Sequence, residues 1–364
     1  MDNSGASRRI DPREPRGLGS PLPPAASATS GSSRSPRSLR SLSPTVGIDF
    51  GGTNIKLGLV SFDGRVLASD VLPTQAFPNP QALIDGLHAR TMALAAGLGV
   101  RRPTRFAGAG IGAPGLIDVR RGVVHQLVNV PGRWREVPLG PRLGARLGCR
   151  CVVDNDANVV ALGEWRFGAG RGARDGVYVT LGTGVGGGLV VNDRLVRGAS
   201  GSAGEIGHTI VRAGGAACAC GGRGCLEAYL GTTALVRTAA RLARSGRSPA
   251  LARFVRHGDA LSPSLISRAA AAGDPAARRV WQEFGRLLGL GLSSLVNALN
   301  PERIVIGGGI AKAWPWFIAD TREALAEQAF AVSARAARIV RAALGSHAGI
   351  IGGAALVWEQ QRES

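Results

Sequence analysis

A two-lobed α/β fold is what this sequence predicts, and three observations predict it. Two strand, glycine-turn, strand motifs recur about 130 residues apart, the mark of duplicated lobes that face one another. Strand-like and helix-like apolar patterns alternate through the rest of the chain. With 364 residues, 45% of them hydrophobic, the chain can bury a large core, and its length suits two domains better than one.

In chain order, residues 1–44 come first, with seven arginines against Asp2, Asp11 and Glu14 among many Ser, Pro and Gly. Lacking apolar periodicity, they cannot offset their ordering entropy and are expected to form a disordered tail. A targeting peptide or an overcalled start codon are the alternatives. The folded chain is expected to begin near Thr45. The formal charge of +19 is almost entirely arginine, since Lys56 and Lys312 are the only lysines. That bias, beside the abundant Ala and Gly, reads as a GC-rich coding sequence rather than a designed phosphate-binding patch. No element that would read a base sequence is found, so no specific nucleic-acid partner is expected. No apolar run approaches about 20 residues, so no membrane span is expected and a cytoplasmic location is.

The first glycine motif runs from strand-like Val46–Phe50 through Gly51, Gly52, Thr53 and Asn54 into strand-like Ile55–Val60. Its turn is nearly bare backbone. A phosphate can approach the N–H groups there without meeting Cβ atoms; Thr53 adds a hydroxyl, and Asp49 can orient Mg²⁺ or its waters. Tyr178–Val190 repeats the design around Gly182, Thr183 and Gly184. Singly, either turn is also an ordinary hairpin; as a pair they suggest two lobes gripping one nucleotide. A third cluster, Gly307, Gly308 and Gly309, follows strand-like Ile304–Ile306 and precedes a helix-like Ile310–Asp320. It reads equally as a nucleotide contact and as a tight strand-to-helix connection. No Gly-Lys-Ser/Thr ending is present, which excludes a Walker A loop.

Between these motifs, Pro80–Leu98 and Pro275–Leu299 carry helix-spaced apolar residues, Arg105–Ile111 and Cys151–Val153 look like short strands, and Arg237–Arg279 reads as mostly helical with breaks at Gly246 and Pro263. Gly349–Gln360 is an Ala-rich helix placed to dock on the first lobe. After Val153 the strand turns into a helix through Asp154, Asn155, Asp156 and Asn158. A helix start needs one such residue as a cap. Four within five positions favour recognition of a polyol and deprotonation of one of its hydroxyls.

Three of the five cysteines lie in Cys218-Ala219-Cys220-Gly221-Gly222-Arg223-Gly224-Cys225, ten residues after His208. Three thiolates and an imidazole fill a tetrahedral Zn²⁺ shell. Disulfide pairing competes poorly with an odd cysteine count and a Cys-x-Cys spacing, and three unrelated thiols would require coincidence. Glu205 and Glu227 bracket the clip, so it is expected to shape a binding site as well as stabilise the chain. Cys149 and Cys151 read as small buried hydrophobes.

In combination these residues resemble the ROK sugar kinases and repressors, within the actin-like, Hsp70-like ATPase fold. The resemblance runs from about Thr45 to the C-terminus. It rests on Asp49–Thr53, Gly110–Gly115, Asn129–Gly132, Asn155–Asn158, Leu181–Gly188, Glu205–His208 and the cysteine clip with Glu227. The resemblance implies two lobes with the active site between them: 45–157, completed by a C-terminal helix at 347–362, and 158–346, with the clip at 205–227. It implies Asp156 as general base, and Gly115, Asn129, Asn155, Glu205, His208 and Glu227 around the sugar. Asp49, Gly51, Gly52, Thr53, Lys56, Thr183, Gly184, Gly308 and Gly309 would hold ATP and Mg²⁺, and His208, Cys218, Cys220 and Cys225 a structural Zn²⁺. Glucose is the expected sugar, with N-acetylmannosamine and other hexoses or N-acyl hexosamines as alternatives. Polyphosphate is the alternative donor, and a sugar-responsive repressor the rival of another class. Dimers or tetramers are expected.

Overall fold

A computed structural model describes residues 43–99, 106–127 and 130–363. The tail expected at 1–44 therefore lies, up to residue 42, outside the described residues, and so does Asn129. The chain forms two five-stranded sheets. In the first, β1 (Thr45–Phe50), β2 (Asn54–Val60) and β3 (Val66–Pro73) form an antiparallel meander, and β4 (Gly108–Ala113) and β8 (Cys151–Asn155) add parallel strands, in the order β3-β2-β1-β4-β8. Helix α1 (Pro80–Gly97) starts on Asn79, whose side chain accepts from Ala82 N, with Pro80 in the first turn where no N–H is needed. A small sheet of β5 (Leu116–Asp118), β6 (Val123–Gln126) and β7 (Arg135–Val137) leads into α2 (Leu139–Leu147), all before β8.

After α3 (Asp156–Phe167), the second sheet repeats the plan: β9 (Gly176–Leu181), β10 (Val185–Val191) and β11 (Arg194–Leu195) are antiparallel, and β12 (Arg303–Gly307) and β13 (Arg338–Arg341) extend β9 in parallel. Between these strands run α4 (Glu227–Leu230), α5 (Thr232–Arg244), α6 (Pro249–Arg256), α7 (Pro263–Ala271) and α8 (Pro275–Leu299). Then come β12 (Arg303–Gly307), α9 (Trp314–Gln328), α10 (Ala331–Ala336), β13 (Arg338–Arg341) and α11 (Ala348–Glu363). Gly246 and Pro263 do break the helical stretch: Gly246 has φ +70° just beyond α5, and Pro263 opens α7. The helix expected at Ile310–Asp320 begins instead as a 3₁₀ turn over Ile310–Ala313, and the strand expected at Arg105–Ile111 is found later, as β4 over Gly108–Ala113, with Arg105 outside the described residues.

Each sheet has its own core. The first is built on Ile48, Phe50, Ile55, Leu57 and Ile111 under α1 and α2; the second on Val177, Leu181, Ile304 and Ile306 under α5 to α9, with Trp281, Phe284 and Phe317 in ring contact. A third cluster joins the sheets: Val152, Leu162, Trp165, Tyr178, Val190, Val305 and Leu356 come from β8, α3, β9, β10, β12 and α11. Helix α3 lies at this joint. The C-terminal α11 docks on β1, β4 and α3 backbone to backbone; a Cβ at Gly47 would stand 1.8 Å from Ile350 O and one at Gly110 1.9 Å from Gly353 O. The sequence spends glycine here on close helix–sheet contact.

Candidate active site

One cleft of about 1430 Å³ runs between the sheets. Its lining takes in Asp49, Gly52, Thr53 and Lys56 of the first glycine motif, Thr183 and Gly184 of the second, and Gly308 and Gly309 of the third. Gly115, Asn155, Asp156, Glu205, His208, Cys218 and Glu227 line the same cleft. Residues scattered over 260 positions of sequence thus share one space.

The glycine turns are braced from below. Gly51 does not reach the lining: its N–H donates to Asn54 O (3.1 Å) and its carbonyl accepts from Thr74 Oγ1 (2.7 Å). It shapes the turn, and Gly52 and Thr53 present it to the cleft. Asp49 and Lys56 face each other across the β1/β2 register and pair at 3.0 Å. In the second turn Gly182 O accepts from both Thr232 N and Thr232 Oγ1, and Glu227 Oε2 accepts from Val185 N at 2.9 Å. Gly308, at φ +87°, abuts Leu181, where a Cβ would come within 2.2 Å of Leu181 O; its left-handed backbone and this contact make it a strand-to-helix connection that also faces the cleft.

The four polar residues at the β8/α3 junction divide their labour. Asn155 is the cap of α3, its Oδ1 accepting from Ala157 N (2.9 Å) and Asn158 N (3.4 Å), which leaves its Nδ2 as a donor on the cleft side. Capping and a place in the cleft lining coincide in this residue. Asp154 has no exposed side-chain surface and accepts from Arg197 Nε (2.7 Å), Asn155 N (2.7 Å) and Asn158 Nδ2 (3.1 Å). Asp156, half-buried in the cleft lining, accepts from Ala157 N (2.8 Å). Burial raises its carboxyl to about 6, opposed by the Ala157 N–H and reinforced by the negative charges of Asp49 and Glu205. A carboxylate titrating there suits proton abstraction near neutral pH.

The cysteine clip is closed by local backbone bonds. Cys218 N donates to Gly222 O and Gly221 N to Cys218 O, while Gly221 (φ +90°) and Gly224 (φ +82°) supply the left-handed corners. The donor atoms of His208, Cys218, Cys220 and Cys225 lie within 4.8 Å of one another. Cys218 Sγ stands 3.7 Å from His208 Nδ1, and Cys220 Sγ 3.7 Å from Cys225 Sγ. Bonds of about 2.3 Å to sulfur and 2.0–2.1 Å to nitrogen give tetrahedral edges of roughly 3.5–3.8 Å, so the donor set fits one tetrahedral ion; Cys220 and Cys225 are free thiols and not a disulfide, which would bring their sulfurs to about 2.05 Å. His208 and Cys218 also line the cleft, whereas Cys220 and Cys225 do not. The other ring nitrogen, Nε2, is 3.8 Å from Glu205 Oε2. Cys149 and Cys151 pack on the first core as small apolar groups, but half-buried rather than buried as expected, and burial still holds the Cys149 thiol up at about 11.

The ROK family model matches residues 45–360. The chain belongs to the ROK family. A glucokinase of Halalkalibacterium halodurans is 38% identical over 324 residues, 87% of this chain and 95% of that one. The solved structure of a ROK family glucokinase from Streptomyces griseus, in complex with glucose and AMPPNP, is 34% identical with a TM-score of 0.72, over 87% of this chain and 99% of that one. A xylose repressor of Caldicellulosiruptor bescii is 30% identical over 86% of this chain but 77% of its own length. The fold is accordingly the two-domain, actin-like α/β fold of the ROK sugar kinases. Among the described residues no helix is long and apolar enough to cross a membrane.

Two contributors carry no signal in the sequence. Arg197 is one arginine among many, and only its pairing with Asp154, 43 residues away, marks it. Glu164, inside α3, accepts from Ala169 N, Ala343 N and Leu344 N, tying the helix that carries Asp156 to the loop before α11.

Proposed function

We propose that this protein is an ATP-dependent hexose kinase that converts glucose to glucose 6-phosphate. The observation that carries the reading is Asp156: a cleft-facing carboxylate at the head of α3, beside a buried Asp154 that is already engaged. Its Oδ2 accepts the proton of the sugar's primary hydroxyl as that oxygen bonds the γ-phosphorus and the bond to the β-phosphate bridging oxygen breaks. Gly115, Asn129, Asn155, Glu205, His208 and Glu227 hold the sugar. Gly51 to Thr53, Thr183, Gly184, Gly308 and Gly309 seat the nucleotide, with Asp49 and Lys56 beside its phosphates. Bound Mg²⁺ supplies charge neutralisation on the transferring group. Zn²⁺, held by His208, Cys218, Cys220 and Cys225, fixes the sugar-side loops and takes no part in the chemistry.

The similarity to glucokinases along nearly their whole length supports this reading over that of a sugar-responsive repressor, since the xylose repressor is matched over a smaller share. A homo-oligomer in the cytoplasm goes with the kinase reading. A coupled assay over glucose, mannose, fructose, allose, N-acetylglucosamine and N-acetylmannosamine, each with ATP and with polyphosphate, tests it. Glucose with ATP is expected to give the highest kcat/KM; another sugar in first place reassigns the substrate, and no turnover with any pair defeats the reading.

The pH dependence follows from Asp156. Only the ionised form accepts a proton, so kcat/KM is expected to fall about tenfold per pH unit below about 6. A profile that stays flat down to pH 5 would remove Asp156 as the base.

A further inference from the structure

Arg197 spans the two sheets behind the catalytic helix. It follows β11 of the second sheet and donates through Nε to Asp154 Oδ2, at the end of β8 in the first. The pair is largely withdrawn from solvent, with 21% of the Arg197 side chain exposed and none of Asp154, and Arg197 Nη2 stands 3.9 Å from Glu359 Oε2 on α11. Desolvating such charges is costly, so a buried pair is weak evidence for stability and is better explained by a registry role.

What the pair registers lies on either side of it. Asp154 Oδ1 accepts from Asn155 N and Asn158 Nδ2, the residues that flank Asp156. On the other side Arg197 O accepts from Ala203 N at 3.0 Å, closing a loop that passes through Gly204, at φ +92°, to Glu205. One residue therefore connects the two sides, through its guanidinium to Asp154 beside the base and through its main-chain carbonyl to the loop that carries the sugar-side carboxylate. We propose that Arg197 is a positioning residue for phosphoryl transfer, fixing Asp156 and Glu205 relative to each other through Asp154. The proposal rests on the reading of Asp156 as the base. Arginine suits the task because its planar fork fixes direction, which the point charge of lysine does not.

The test is steady-state kinetics with glucose and ATP from pH 5 to 9 on the full chain carrying Arg197→Met, Arg197→Lys, or Arg197→Met with Asp154→Asn. Arg197→Met is expected to lower kcat/KM for glucose at least tenfold while KM for ATP stays within twofold. Its acid limb is expected to move to higher pH, because Asp154 then adds an unpaired negative charge near Asp156, beside Asp49, which Lys56 pairs at 3.0 Å, and Glu205, whose Oε2 lies 3.8 Å from His208 Nε2. Adding Asp154→Asn is expected to return the limb to its wild-type position. Unchanged glucose kcat/KM and an unmoved limb, after correction for active-site concentration, overturn the proposal. Should Arg197→Met not fold, Arg197→Lys carries the same test, with unchanged glucose kcat/KM overturning it. Failure of the base reading is separate: it would appear as a wild-type enzyme without an acid limb, whatever Arg197→Met does.

Discussion

Asp156→Asn is expected to lose a factor of about 10²–10⁴ in kcat and, at the same time, to be more stable than the wild type above pH 6. The first effect is the loss of the proton acceptor. The second follows from linkage. Burial raises the folded-state pKa of Asp156 from 3.8 to about 6, so the folded protein prefers the protonated carboxyl. That preference contributes its full stability below the unfolded value of 3.8 and is lost as pH rises through about 6. At about 1.4 kcal/mol per unit, and with some discount for a half-buried group, the ionised carboxylate destabilises the fold by roughly 1–3 kcal/mol at pH 8. Asparagine is relieved of that cost and can keep the bond from Ala157 N to Oδ1. Urea unfolding at pH 8 and pH 4, beside kcat on the same samples, checks both halves. The variant should gain at pH 8 and the difference should vanish near pH 4; a fully active variant would dismiss the base, and a destabilised one at pH 8 would dismiss the burial argument. Such an outcome is the ordinary exchange of stability for activity at a functional site.

Cys220→Ser is expected to abolish metal binding at the cysteine clip and to raise KM for glucose at least tenfold. Cys220 is the informative member of the cluster because it is exposed and does not line the cleft. Loss of sugar affinity on its replacement cannot come from a lost direct contact. It would have to pass through the clip to His208 and Cys218, which face the cleft, and to Glu227, two residues after Cys225, which holds Val185 N in the second glycine turn. Structural zinc contributes on the order of 10–16 kcal/mol in small peptides that fold around it, whereas here the first core takes no residue from the clip and the second, though it includes Ile206 and Leu226, is built mainly from strands and helices outside it, so the rest of the chain is expected to stay folded. Metal content by mass spectrometry, far-ultraviolet circular dichroism and glucose KM form the measurement. Retained metal would remove Cys220 from the ligand set; metal lost with glucose KM unchanged would make the clip dispensable for the sugar.

Much of the molecule is legible in its sequence because the signals are local. A glycine turn between apolar strands, proline at the first turn of a helix, and Cys-x-Cys with a third cysteine five residues on each state their geometry within a dozen residues, and β1–β2, β9–β10, α8 and the clip stand where those signals put them. Less legible were β13, whose four residues pair with β12 from across two helices, and Gly51, whose N–H the turn itself consumes.

The sequence by itself determined that a cysteine cluster able to hold a metal, three glycine turns and a polar helix start exist in this chain, since each depends mostly on neighbours a few positions apart. It could not apportion Asp154, Asn155, Asp156 and Asn158, four residues of similar chemistry in one short run. Tertiary structure decided that. Arg197 arrives from the second sheet and takes Asp154 into the interior, Asn158 turns its amide to the same carboxylate, and Asn155 caps α3. Asp156 is left facing the cleft. The physical reason is that a carboxylate's role is set by the charges and solvent around it, and at this junction those come from residues 43 positions away.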